Sequence, residues 1–343
     1  MEPVSIHNMS LHKIGNKTND EGCFFSAKNF AITADLQEIL NDYFLGPFTS
    51  EEYFQFFHDA DLSLNEVFTY ASKIFEDLDS LHEQSINLGK HLYNQSIHPK
   101  VKGGEFYVVY FKNGNLKGET VDIIGLFKSE NKDIFLNVFP NGEDLEMDNQ
   151  EGININKLDK GCLIYNSDKE NGYVVSVIDK TNKGNDAQYW VDYFLNVRQM
   201  QDAYFNTENT LSLYKKFIVQ QLPQEFEISK ADQADLLNKS IGYFKENEQF
   251  ETEEFNQSIF EQPEVISSFK NFKETYKKER EIEIGDSFDI SESAVKKQNR
   301  SYKSIIKLDK NFHIYIHGGR HLIEQGVDEE GKKFYKIFYE NEV

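Results

Sequence analysis

Hydrophobic positions along the chain change period several times, and each change predicts a different kind of element. Residues 4–30 hold short β-type runs punctuated at Gly15-Asn16 and Asp20-Glu21-Gly22, which predicts two strands in a hairpin. Thr33 stands where a cap belongs, ahead of a helix over residues 34–45 that Gly46-Pro47 stops. Thr49 with Glu52, and Ser63 with Glu66, have capping-box spacing, so each predicts a helix start. After Ser63, the apolar residues Leu64, Val67, Phe68, Ala71, Ile74, Phe75, Leu78, Leu81, Leu88 and Leu92 keep three-four spacing. That stripe predicts one long helix reaching about residue 93.

From residue 104 the pattern turns to strands. The run 105–111 ends at Asn113-Gly114, a strong tight-turn pair, and further strands are predicted over 121–127, 134–139, 161–166 and 173–178. Short polar connections between them imply hairpins and an antiparallel sheet. Residues 207–283 return to helical spacing: Leu211, Tyr214, Phe217 and Ile218 mark one helix, Ser229 with Asp232 opens the next, and Pro263 suits the first position of a third. Joints are expected at Pro223, over 246–254 and at Gly285-Asp286. The end of the chain alternates again, predicting hairpins from 303–308 with 312–317 and from 322–325 with 334–338. These periods give an α+β fold: an antiparallel sheet with packed helices over 1–204, a helical segment over 205–285 and a C-terminal β-hairpin region over 286–343.

Composition supports real cores, since 29 Phe and 18 Tyr occur among 343 residues. The two cysteines, Cys23 and Cys162, sit in apolar surroundings and read as buried free thiols in a reducing compartment. No segment resembles a leader or a membrane span, so a cytoplasmic protein without membrane partners is expected. Net charge is −21, yet the charge is unevenly spread. Up to Ala294 there are 27 Lys/Arg against 51 Asp/Glu, whereas residues 295–321 carry seven basic residues and one acid. This local reversal is the chief electrostatic signal.

Strand alternation gives that stretch a direction. Phe312, Ile314 and Ile316 fall on one face, and His313, Tyr315 and His317 on the other; Ile306 and Leu308 oppose Lys303 and Lys307 in the same way. With Lys296, Lys297 and Arg300 upstream, Lys310 in the turn and Gly318-Gly319-Arg320 beyond, one face collects groups suited to phosphate contacts. The plain alternative is a solvated hairpin that offsets an acidic neighbour.

Other chemistry is weakly supported. His313, His317 and His321 have helical ligand spacing on a strand, where it loses its meaning. Asp122 with Glu130-Asn131-Lys132 has the residue order of a metal-dependent nuclease, but Glu130 and Lys132 are expected in an exposed polar turn; Glu330-Gly331-Lys332 shares that weakness. Gly103-Gly104 precedes a strand and does not read as a phosphate loop. Neither a catalytic set nor a cofactor is expected.

Three stretches carry a family likeness. They are Ile6-His7-Asn8-Met9-Ser10-Leu11-His12, the run 189–195 (Tyr-Trp-Val-Asp-Tyr-Phe-Leu) continuing through Val197 to Tyr204-Phe205-Asn206, and residues 302–316 with their Ile-Lys-Leu-Asp-Lys core. In these the chain resembles the 37-kilodalton class of bacterial nucleoid-associated proteins. The resemblance covers most of the chain and implies a non-enzymatic, nucleoid-located protein that binds double-stranded DNA and also admits RNA. Two other classes of function stay open: an acidic module that docks on basic DNA-associated proteins, and a metal-dependent nuclease. A homodimer would double the basic patch and raise apparent affinity by linkage.

Overall fold

A computed structural model describes residues 3–180, 189–302 and 305–342. The chain divides into two compact units, Met1–Met200 and Gln201–Val343.

The first unit is built on β1 (Ser5–Ile14), β2 (Phe24–Phe25), α1 (Ala34–Leu45), β3 (Phe54–Phe56), α2 (Glu66–Glu76), α3 (Leu81–Gln95), β4 (Gly104–Leu116) and β5 (Glu119–Ser129). There follow β6 (Asp133–Asn141), β7 (Asp144–Gly152), β8 (Lys160–Tyr165), β9 (Val174–Asp179), a π-helical turn at Tyr189–Leu195 and β10 (Val197–Gln199). Eight of these strands form one sheet in the order β10-β3-β9-β8-β5-β4-β1-β2, with antiparallel pairing throughout. Alternate residues of β4 face opposite ways. Phe106, Val108 and Tyr110 join α2 and α3 in one core, while Tyr107, Val109 and Phe111 join α1 in another. The sheet is therefore covered on both faces, which is why its central strands read as continuous apolar runs.

Several expectations need correcting. Thr49 and Glu52 open no helix; the chain there is irregular and leads into β3, which pairs with β9 and β10. The long stripe after Ser63 is two helices, interrupted at Asp77, whose backbone is extended (φ −142°, ψ 103°). The cap of α2 is Asn65, not Ser63. Its side chain accepts from Phe68 N at 2.9 Å and donates to Leu195 O at 3.0 Å, so a distant carbonyl fixes the choice. Asn113-Gly114 lies within β4 as a bulge, with Asn113 left-handed at φ 59°, and the reversal comes at Lys117-Gly118. Gly172 does turn the chain into β9: its φ is +103°, and a Cβ there would lie 2.4 Å from Phe56 O. Of the two thiols, Cys162 is buried and Cys23 only half-buried.

The second unit contains α4 (Ala203–Lys216), a π-helical turn at Phe217–Gln221, α5 (Leu222–Glu225), α6 (Lys230–Glu246), β11 (Gln249–Glu251), α7 (Thr252–Phe260), α8 (Pro263–Arg280), β12 (Ser287–Asp289) and α9 (Glu292–Asn299). It ends in two ribbons, β13 (Ile305–Leu308) with β14 (Phe312–Tyr315), and β15 (Ile323–Val327) with β16 (Lys333–Ile337). The capping box at Ser229 forms as expected, with Ser229 and Asp232 each accepting from the other's backbone. Pro263 occupies the start of α8. The acidic stretch holds β11 and the start of α7, and β11 pairs with β12 from across α7 and α8. An aromatic core around Tyr214, Phe217, Phe250, Phe255 and Phe269 binds the helices together.

Candidate nucleic-acid interface

The basic stretch begins on α9, whose side-chain cap is Ser291. Lys296 and Lys297 occupy its last turn, where cations suit the helix dipole. Both are already paired: Lys296 reaches Glu292 at 3.3 Å, and Lys297 reaches Glu208 at 3.0 Å while lying over the Tyr204 ring. Arg300 follows the helix end and is exposed. Lys303 lies outside the described residues.

The ribbon β13/β14 has the expected alternation. Its register sets Lys307 opposite His313, and Ile305 opposite Tyr315, so Lys307, His313 and Tyr315 share a face. Ile306 turns the other way and is buried with Ile316, Ala231 and Ala234, which seats the ribbon on α6. Lys310 is exposed in the intervening turn.

Arg320 is committed elsewhere. Its guanidinium donates to the Asp232 carboxylate and to Ile323 O. Burial opposes ionisation of Asp232, but bonds from Ser229 and Arg320 outweigh it and hold the carboxyl below its usual range. Among the described residues, no ion pair engages Lys245, Arg300, Lys307 or Lys310.

A groove of about 580 Å³ gathers part of this set. Arg300, Tyr315 and His317 line it together with Asn299, Asn238 and Lys245. Lys245 was not foreseen, although a signal existed. Once α6 begins at the Ser229 cap, Asn238, Ile241, Gly242 and Lys245 fall at spacings that share one helix face. The arrangement offers two exposed cations, an imidazole and the Asn299 amide around a concave surface, donors that phosphate oxygens can accept from, while the Asn238 amide is bonded to Ile316 O.

The three histidines fall on three different pieces of the chain. His313 is on the ribbon, His317 lines the groove, and His321 is in the turn Arg320–Leu322. Among the described residues there is no group of three or more His, Cys, Asp or Glu able to hold a metal.

The nuclease-like residues have structural partners. Asp122 accepts from Tyr110 OH at 2.7 Å. Glu130, expected in an exposed turn, is buried instead. It pairs with Lys128 at 3.0 Å, lies 4.0 Å from Lys160 and accepts from Tyr189 OH. Lys128 and Lys160 are fully buried, and Lys160 also meets Asp179 at 2.7 Å.

An antiparallel sheet sandwiched by helices, followed by a helical unit ending in two β-ribbons, makes this a two-unit α+β protein. A family model described as nucleoid-associated protein YejK matches residues 10–340, and the chain belongs to this family of bacterial nucleoid-associated proteins. Comparison with curated proteins found no match. No helix among the described residues is long and apolar enough to cross a membrane.

Proposed function

We propose that this nucleoid-associated protein is non-enzymatic and binds double-stranded DNA through backbone phosphates, using the groove and ribbon of its second unit. The observation that carries this reading is a set of cations, Lys245, Arg300, Lys307 and Lys310, that no ion pair engages among the described residues, in a chain whose charge is otherwise acidic. These side chains are long and exposed and present point charges or forks, which favours phosphate over base edges and gives little sequence selectivity. The net charge of −21 repels DNA at long range, so a local patch must supply the attraction.

Four cations on four phosphates contribute about −3.6 to the slope of log affinity against log salt. Changing Lys245, Arg300, Lys307 and Lys310 together to alanine is expected to reduce the slope by about that amount and to weaken binding at every duplex sequence alike. Fluorescence anisotropy across a salt series measures both quantities, and an RNA duplex of equal length tests the second nucleic acid. An unchanged slope removes this surface from the reading.

The acidic excess up to Ala294 favours a second reading, in which the body docks on basic DNA-associated proteins. That reading replaces the first if no duplex binding occurs even at low salt. Incubation with supercoiled plasmid and Mg²⁺ or Mn²⁺ is expected to leave the plasmid intact on a gel. Nicking that persists through purification and follows the protein overturns the non-enzymatic part.

A further inference from the structure

The antiparallel order β9-β8-β5-β4 brings the start of β4, the end of β5, the start of β8 and the end of β9 to one end of the sheet. The register fixes this, setting Glu105 opposite Ser129, and Lys160 opposite both Lys128 and Asp179. The segments leaving that end enclose a recess of about 360 Å³ in the first unit. Lys100 and Lys102 come from the segment before β4, and Asn131 from the turn after β5. Asn156 and Lys157 come from the segment before β8, and Lys180 directly follows β9.

Two carboxylates also line the recess, but both are spent on the protein itself. Asp159 accepts from Glu130 N at 2.6 Å, from Asn131 N at 2.9 Å and from Asn131 Nδ2 at 2.8 Å. Glu130 turns inward to the fully buried Lys128 and to Tyr189 OH. Lys128 in turn donates to Lys102 O at 2.6 Å, and Lys180 N donates to Asp159 O at 2.9 Å. The buried network therefore holds the backbone at two of the four lysines. Their side chains are exposed, as are those of Lys100 and Lys157. Lys102 gives one of its three protons to Asn131 Oδ1 at 2.6 Å, and Lys157 gives one to Asp133 at 2.9 Å. No ion pair engages Lys180 among the described residues.

We propose that this recess binds a small oligophosphate, an anion of several linked phosphate groups free in solution. Charge decides the class of ligand. In a chain of net charge −21, four lysines from three segments converge on one concavity whose carboxylates are already engaged. One phosphate group carries about two charges at neutral pH, fewer than the lining supplies, whereas linked phosphates match it. Lysine meets phosphate as a point charge, and the Asn156 amide adds a neutral donor. Backbone phosphates of a duplex are spread along a convex rod at about 3.4 Å of rise per strand, so few of them reach into a recess of this size. The site belongs to the first unit and does not rest on the DNA contacts assigned to the second.

Isothermal titration calorimetry of the full chain with inorganic triphosphate, in metal-free buffer at low salt, is expected to show one site per chain. Lys102→Gln with Lys180→Gln is expected to weaken binding at least about 10-fold, since two charge-assisted contacts become neutral ones. Both side chains are exposed, so circular dichroism of this variant is expected to match the wild type. Lys245→Ala with Arg300→Ala, in the second unit, is expected to bind triphosphate like the wild type. A saturating DNA duplex is expected to leave the triphosphate isotherm in place. Absence of binding up to millimolar triphosphate overturns the proposal, and so does a Lys102→Gln, Lys180→Gln variant that binds like the wild type. Loss of binding in the Lys245→Ala, Arg300→Ala variant moves the anion to the other groove and overturns this site. Displacement by the duplex gives the recess to nucleic-acid phosphates and overturns the free anion as its ligand.

Discussion

Replacing Glu130 with alanine is expected to destabilise the first unit by about 3–5 kcal/mol, because it strips the counter-charge from a buried lysine. Lys128 is fully buried, and its other hydrogen bonds among the described residues go to neutral partners, Lys102 O at 2.6 Å and Tyr189 OH at 3.0 Å. Burial already pushes the Lys128 pKa down, with the nearby Lys160 adding to it, and Glu130 is the main group opposing them, with a lesser contribution from Glu21. Without that carboxylate, Lys128 must hold an uncompensated charge or give up its proton. Glutamine at the same position keeps an acceptor but no charge, so a smaller loss is expected.

The same cluster sets a pH dependence. Burial works against the Glu130 carboxylate, but Lys128, Lys160 and the Tyr189 hydroxyl outweigh it and hold the pKa below its ordinary value. A carboxyl depressed in the folded state stabilises fully above its unfolded pKa, and that stability is lost as pH falls through the folded pKa. Acid should therefore destabilise the wild type more than the Glu130→Ala protein, and the two should converge at low pH. Trp190, the single tryptophan, is fully buried beside Tyr189 and reports the transition by fluorescence in urea. A neutral-pH difference below about 1 kcal/mol would show that the cluster relaxes or hydrates when Glu130 is lost.

A loss of similar size is expected in the second unit when Tyr214 becomes alanine, about 3–5 kcal/mol for removal of a large buried ring. Tyr214 lies parallel to Phe269 with ring centres 4.3 Å apart, and its centre is also 4.3 Å from Phe255. Its hydroxyl donates to Asn256 Oδ1 at 2.6 Å, at a fully buried asparagine whose Nδ2 finds no partner among the described residues. Truncation thus opens a cavity and leaves a buried amide with both ends unmet. Tyr214→Phe isolates the second effect and should cost about 1–3 kcal/mol. Hydrogen exchange of the α4, α7 and α8 amides measures both, since Trp190 reports on the other unit. Equal losses for the two variants would mean that the ring contributes nothing beyond its hydroxyl.

What the chain reveals before folding is mostly what neighbours in sequence decide. Ser229 and Asp232 close a capping box and Pro263 starts α8 because each device works within one helical turn, and α1 runs between Thr33 and Gly46 although the Thr33 side chain makes no capping bond. The ribbon face holding Lys307, His313 and Tyr315 is legible for the same reason: alternation needs only the strand itself. The misreadings involve distant partners. Asn65 wins over Ser63 because Leu195 O waits 130 residues away, and Glu130 is buried because Lys160 and Tyr189 arrive from later strands and turns. Segment 113–114 has a local turn signal that sheet pairing overrides, and the capping-box spacing at 49–52 opens no helix because the chain passes directly into β3. Half of the groove was missing for a related reason, since Lys245 belongs to a helix far from the basic stretch in sequence.

The placement of β4 between two apolar layers also bears on how the chain is made. Its pairing with β1 sets Ile6 against Phe111, so β1 must wait about a hundred residues for β4 to reach its edge. Contacts of that span close slowly. Helices α1, α2 and α3 all precede β4, however, so both covers leave the ribosome before the strand they shield. Synthesis in this order lets the most aggregation-prone segment emerge into a partly formed shelter, and a circular permutant beginning at β4 would forfeit that protection.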